Sequence, residues 1–169
     1  GLEVGDDVEL VKKIVKKVKS LTDVPVIAKV GLGTTNYLDT VSAACEAGAD
    51  GITAINTIRA MAIDVETRKP ILSNKIGGLS GTPIKPIAVR CVYEISSKFD
   101  VPIIGCGGIS TWQDAVEFIL AGACAVQFGS VLGEHWIEVF DEINSGIQNY
   151  MEQKGYSSIG EMVGQAKRS

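Results

Sequence analysis

Four short apolar runs, VPVIAKV (24–30), GITAINT (51–57), VPIIGCGG (101–108) and AVQFGSV (125–131), alternate with amphipathic stretches of helical period. Strands separated by helices are joined through crossover connections, which are right-handed and make neighbouring strands parallel. The helices then cover the sheet, so its strands read as nearly continuous apolar segments rather than alternating ones. An apolar content of 46%, with 19 glycines besides, suits such a buried sheet better than a half-wet antiparallel one. The predicted order is helix, strand, helix, strand, a long excursion, helix, strand, helix, strand, helix.

The helical stretches carry their own punctuation. Residues 5–22 place Val8, Val11, Val15 and Val18 on one inward stripe, with Asp6 and Asp7 at the positive end and Lys12, Lys13, Lys16 and Lys17 outside. Asn36 through Ala47 repeats the design with Leu38, Val41 and Cys45, and Gly48 is placed to end it. Ser110-Thr111-Trp112-Gln113 reads as a capping box for a helix carrying Val116, Ile119 and Leu120. After Gly129-Ser130 a helix is expected to turn Trp136, Val139, Phe140, Ile143 and Ile147 inward, and Ser158 to Glu161 reads as a second capping box before a short terminal helix.

Strand starts fall at about 24, 51, 101 and 125, so the middle interval is roughly twice the others. Its surplus, about 59–81, contains AMAIDV and KPILSN around Glu66-Thr67-Arg68, then Gly77-Gly78-Leu79-Ser80-Gly81. We expect a β-hairpin projecting from the ligand face, then a glycine-rich turn. Loops longer than about 12–15 residues in compact domains are usually functional. A lid or partner-docking element and a plain surface hairpin are both open.

Four βα units are half of a (β/α)₈ barrel, which typically needs about 250 residues. The chain has 169 and starts at Gly1 rather than Met, as expected of a processed or truncated piece. The fold class is α/β, read as the carboxyl-terminal half of a TIM barrel with a hairpin excursion, all of it one domain fragment holding strands 5–8. An open doubly wound domain is the alternative. The barrel is preferred because every strand offers ligand-type residues at the same end.

Those residues define the chemistry. Cys106-Gly107-Gly108 and Gly129-Ser130 close two neighbouring strands, and glycines there let backbone N–H groups approach an anion unobstructed. In barrels the loops after the last two strands are the usual phosphate site, so a phosphorylated cofactor or substrate is expected. Lys29 ends an apolar strand, either as a lysine snorkelling at the sheet rim or as a cation holding negative charge on a ring. Asn56-Thr57 end the next strand, either as a turn cap or as donors and acceptors for an imide or carboxamide edge. Gly31-Leu32-Gly33 is only a partial dinucleotide fingerprint, because Asn36 stands at the third glycine, and it is set aside.

Several classes are excluded. A net charge of −4 argues against nucleic acid or an anionic membrane as partner. No apolar run approaches the roughly 18 residues of a membrane span. The cysteines at 45, 91, 106 and 124 have no C-x-x-C spacing and His135 has no ligand neighbours in sequence, so no metal site is expected. Free thiols place the protein in the cytoplasm. Cys45, Cys91 and Cys124 are expected to act as small core hydrophobes, while Cys106 lines the ligand side.

The runs Ile55-Asn56-Thr57, Ala62-Ile63-Asp64, Thr67-Arg68-Lys69-Pro70, Gly77 to Gly81 with Ile84-Lys85-Pro86, Ile103 to Ile109, and Ala121-Gly122-Ala123 leading to Val126-Gln127-Phe128-Gly129-Ser130 together resemble the flavin-dependent dihydroorotate dehydrogenases. The resemblance runs from about residue 5 to 150 and is nearest the class 1 branch that works with an iron–sulfur, FAD-bearing electron-transfer subunit. It implies a TIM barrel that binds FMN and oxidises dihydroorotate to orotate in pyrimidine biosynthesis, as a homo-oligomer. Carried over, Lys29 would lie against the flavin ring and favour its reduced form, and Ile55 and Gly81 would contact the flavin by backbone. Gly107, Gly108, Gly129 and Ser130 would hold its phosphate, and Asn56 and Thr57 would bind the pyrimidine. The family's catalytic cysteine or serine lies on a loop expected before Gly1, so no catalytic residue is assigned in this chain, and the chain alone is expected to be inactive. Family members commonly follow the strand lysine with Ser-Pro-Asn, whereas Lys29-Val30 here runs into Gly31-Leu32-Gly33. This departure keeps a dihydropyrimidine dehydrogenase-like flavoenzyme, or a non-catalytic phosphate-binding half-barrel, as alternatives.

Overall fold

The computed structural model describes Gly5, residues 7–33 and residues 36–168, without the side chains of Glu134 and His135. Expectations about Asp6 and the side chain of His135 therefore lie outside the described residues. In chain order the elements are α1 (Val8–Lys19), β1 (Ile27–Val30), α2 (Tyr37–Glu46), β2 (Gly51–Ala54), β3 (Ile58–Ala60), β4 (Ile63–Asp64), β5 (Lys69–Pro70) and β6 (Gly77–Leu79). They continue with α3 (Lys85–Lys98), β7 (Ile103–Cys106), α4 (Trp112–Ala121), β8 (Ala125–Gln127), α5 (Leu132–His135), α6 (Glu138–Lys154) and α7 (Ile159–Met162).

The main sheet runs β1-β2-β7-β8, with all three pairings parallel. A doubly wound sheet reverses its strand order at a switch point. This one proceeds in sequence order, so it is a partial TIM barrel. Register sets its two faces. Ala28, Ile52 and Ile103 stand side by side, and Ile52 and Ile103 are buried. Gly105 is two residues beyond Ile103, hence on the same face, and a Cβ there would stand 2.5 Å from Phe118 Cδ1 of α4. That face is covered by helices. The neighbouring row, Lys29, Thr53, Ile104 and Ala125, points to the other side. Among the described residues, no helix is long and apolar enough to cross a membrane.

Helix ends differ in detail from the sequence expectation. In α1, Asp7 accepts the Leu10 N–H at 2.9 Å and the last turn carries Lys16, Lys17 and Lys19. Of its predicted stripe, Val11 and Val15 are buried, but Val18 is exposed, as are Leu10 and Ile14. The helix leans on α2 along one edge, tied by Lys12–Glu46, while Lys19 reaches Asp50 before β2. The cap of α4 is displaced by one residue from the predicted box: Thr111, not Ser110, is the N-cap, and Asp114, not Gln113, completes it. At α7 the second box does not form: the Ser158 hydroxyl caps nothing, and Glu161 accepts instead from the N–H of Ser157, one residue before the cap, at 2.7 Å.

Three further expectations are corrected. Trp136 and Phe140 do not turn inward, because the predicted helix breaks at Trp136 (φ 48°), and of the residues expected inward Val139, Ile143 and Ile147 are buried. Cys124 is exposed, its thiol donating to the Ile103 carbonyl, and Cys45 is half-buried, so Cys91 alone of the three is a fully buried core thiol. In the excursion β4 and β5 form an antiparallel pair about Glu66-Thr67-Arg68, where the hairpin was expected, but the glycine-rich segment after it is not a turn: a second antiparallel ladder joins β3 to β6. Gly77 to Leu79, expected in the turn, pairs with the root of the excursion, and the chain reverses through Asp64, whose carboxylate accepts the N–H groups of Glu66 and Thr67.

Candidate cofactor and substrate cavity

Because all four main strands run the same way, the segments after them gather at one end of the sheet. There they enclose a cavity of about 450 Å³, within the range of small-ligand sites. From β1 comes Lys29, and from the segment after β2 come Ile55, Asn56 and Thr57. Gly81 follows β6, Gly107 and Gly108 follow β7, and Gly129 and Ser130 follow β8. Each residue singled out in the sequence therefore lines this cavity. Sequence reasoning passed over Ser80, Thr82, Pro83, Ile84, Ser110 and Phe128, which also line it. A usable signal for part of that set was Thr82-Pro83, since proline at the start of a helical turn marks a helix beginning at the cavity rim.

Local bonding explains why these segments hold their places. Ile55 N–H donates to the Cys106 carbonyl at 2.7 Å and Asn56 N–H to the Val30 carbonyl at 2.8 Å, so the segment after β2 is tied to the ends of both neighbouring strands. Thr57 is backed by β6: a Cβ on Gly78 would collide with the Thr57 hydroxyl and Cβ, so glycine there leaves room for the threonine.

The turn after β7 requires glycine twice. Gly107 has φ 133° and Gly108 φ 75°, and a Cβ on Gly108 would meet the Gly81 carbonyl at 2.7 Å and Lys85 N at 2.9 Å. After β8 the situation differs. A Cβ on Gly129 would meet nothing within 4 Å, so the space beside it is cavity. Among the described residues, the N–H groups of Gly108, Gly129 and Ser130 donate to no backbone carbonyl. Free N–H groups over open space are what an anionic group needs.

Behind the Gly107–Thr111 turn, Asp114 is nearly buried. Its carboxylate accepts from Ser110 N, the Ser110 hydroxyl and Thr111 N at 2.9–3.1 Å, and from Lys85 Nζ at 2.8 Å. Burial by itself would raise this carboxyl, but the Lys85 and backbone hydrogen bonds outweigh it and bring it down to about 2. Lys85 is held charged by its hydrogen bonds to Asp114 and Glu117. Among the described residues no cluster of His, Cys, Asp or Glu is placed to hold a metal ion.

A model of the dihydroorotate dehydrogenase family matches residues 1–151. The chain belongs to the dihydroorotate dehydrogenase family. This is a family of flavoproteins. The chain is 54% identical over 168 residues to the dihydroorotate dehydrogenase B (NAD(+)) catalytic subunit of Pyrococcus furiosus, covering 99% of this chain and 56% of that protein. It is 51% identical to the protein of the same name from Thermococcus kodakarensis, over 98% of this chain and 55% of the relative. The corresponding figures for Methanocella arvoryzae are 46%, 99% and 55%. The chain thus spans about half the length of the curated relatives it matches.

Proposed function

We propose that this chain supplies the FMN-holding half, barrel strands 5–8, of a dihydroorotate dehydrogenase that converts dihydroorotate to orotate in pyrimidine biosynthesis. The observation that carries the reading is the convergence of Lys29, Asn56, Thr57 and the two glycine turns on one cavity. The cavity fits the cofactor: its glycine turns present free N–H groups over open space, and its far side carries a cation and an amide.

In this reading Gly107, Gly108, Gly129 and Ser130 hold the FMN phosphate through backbone N–H groups, and Ile55 and Gly81 contact the flavin by backbone. When bound, the flavin supplies the two-electron acceptor for the hydride that dihydroorotate loses, while the accompanying proton goes to a base assigned to no residue of this chain. Lys29 places positive charge where the ring gains electron density. Asn56 and Thr57 orient the pyrimidine by pairing donors and acceptors with its edge. The names of the relatives include NAD(+) and a catalytic subunit. The same reading gives this chain an iron–sulfur, FAD-bearing partner subunit that passes electrons to NAD+, a homo-oligomeric catalytic core and a cytoplasmic setting.

The reading is tested on the intact gene product by its flavin absorption and by orotate titration of the flavin band. Asn56→Ala is expected to weaken orotate by about 1–3 kcal/mol, because a site built to hydrogen-bond its ligand is left with unpaired groups. FMN should stay bound. Equal orotate affinity in the two proteins removes Asn56 from the substrate site.

Lys29→Ala is expected to lower the flavin midpoint potential, since a charge-assisted hydrogen bond contributes about 1.5–3 kcal/mol and favours the electron-rich state of the ring. Spectroelectrochemical titration reads this directly. A midpoint equal to that of the wild type returns Lys29 to the role of a rim lysine.

A further inference from the structure

Two of the segments proposed to hold the cofactor, Gly81 and Gly107-Gly108, touch each other. Gly108 lies so close to the Gly81 carbonyl and to Lys85 N and Cβ that an added Cβ would overlap all three. Lys85 opens α3, four residues after Gly81, and Asp114 lies in the first turn of α4, six residues after Gly108. Their side chains meet behind this contact at 2.8 Å, and neither residue lines the cavity. The other Asp114 oxygen accepts from Ser110 and Thr111 in the turn itself. Lys85 Nζ also lies 2.7 Å from Glu117 Oε2, one turn further along α4. One ammonium group therefore joins the start of α3 to the start of α4, and one carboxylate joins that link to the backbone of the glycine turn.

We propose that Lys85 and Asp114 are positioning residues for the phosphate subsite: their ion pair sets the spacing between the Gly81 and Gly107-Gly108 segments, and so the aim of the N–H groups that would hold the cofactor phosphate. The proposal rests on the FMN reading above. Loss of Lys85 leaves Asp114 and Glu117 facing one another without a cation, and like charges at that range repel. With the tie to Lys85 gone, the first turn of α4 is no longer held against the start of α3. The glycine turn follows, because Asp114 holds the Ser110 and Thr111 N–H groups. The groups proposed for the flavin ring and the pyrimidine, Lys29 and Asn56, lie on β1 and after β2 and are not attached to this link.

The test compares FMN and riboflavin, which differ only in the phosphate, by fluorescence titration of the intact gene product freed of flavin. Lys85→Met and Asp114→Asn should each lower FMN affinity by about tenfold, the size of one charge-assisted contact, and leave riboflavin affinity within about twofold. Asparagine at 114 still accepts from the turn, so that variant breaks the ion pair while keeping the cap and guards against misfolding of the first. Lys85→Arg, which keeps the charge, should restore FMN affinity to within about threefold. The double variant should be no worse than either single one, as for two residues acting through one contact. FMN affinity unchanged in both single variants, or riboflavin weakened as much as FMN, overturns the proposal. A wild-type protein that binds neither flavin overturns the FMN reading itself, and this inference with it, a result distinct from wild-type binding with unaffected variants.

Discussion

Gly129→Val is expected to cost the intact protein most of its FMN affinity, on the order of a hundredfold, while its unfolding transition stays where it was. An added Cβ at 129 has no neighbour within 4 Å, so a side chain there starts in open space. The backbone there is not in the left-handed region, so valine brings no strain of that kind. Whatever is lost therefore comes from the ligand side. Valine would fill the space the phosphate needs and hold it off the N–H groups of Gly129 and Ser130, and two charge-assisted hydrogen bonds at about 1.5–3 kcal/mol each make that loss large. Equilibrium dialysis against FMN with a parallel thermal melt checks both halves. Wild-type FMN affinity in the variant would falsify the phosphate placement. Gly108→Val should lose flavin as well, but it is the less informative change. Its φ of 75° and the Gly81 carbonyl at 2.7 Å mean that any side chain there also strains the protein.

The largest loss of stability is expected from Phe118→Ala, at about 3–5 kcal/mol, the range for emptying a buried aromatic site. Phe118 of α4 is fully buried and lies over Gly105 of β7, which has no side chain of its own to fill the gap. Gly105 is followed directly by Cys106-Gly107-Gly108. The cavity left by alanine would thus open beneath the strand that leads into the glycine turn, and FMN retention should fall with stability. Urea unfolding with FMN absent isolates the packing effect. A loss below about 1 kcal/mol would mean that the helix settles onto the strand and closes the gap.

Much of the site was legible before any coordinates, for a geometric reason. In a parallel sheet of βα units the carboxyl ends of the strands lie together, so residues of ligand type at several strand ends are neighbours whatever their separation in sequence. Lys29, Asn56 and Gly108 could be grouped on that ground, and they share one cavity. What escaped were choices between near-equal local options and contacts between distant segments. Ser110 and Thr111 are both good caps, and Asp114 competes with Gln113 for the third position. The choice fell to Thr111 and Asp114 because a carboxylate at 114 also reaches Lys85, 29 positions earlier. Trp136 was assigned inward by periodicity, but periodicity assumes an unbroken helix, and the chain changes direction at that residue.

By itself, the sequence determined the α/β class, the four parallel strands and the set of residues at their ends. These follow from strand-length apolar runs, helical stripes and glycine placement, all of which act within a few residues of one another. Only the tertiary structure decided where the helices begin, that Gly77 to Leu79 pairs with the root of the excursion, that Gly78 stands aside for Thr57, and that Lys85 ties α3 to α4 behind the glycine turn. Each of these depends on side chains meeting across long stretches of chain, where burial and charge pairing outweigh the local preferences that a sequence displays.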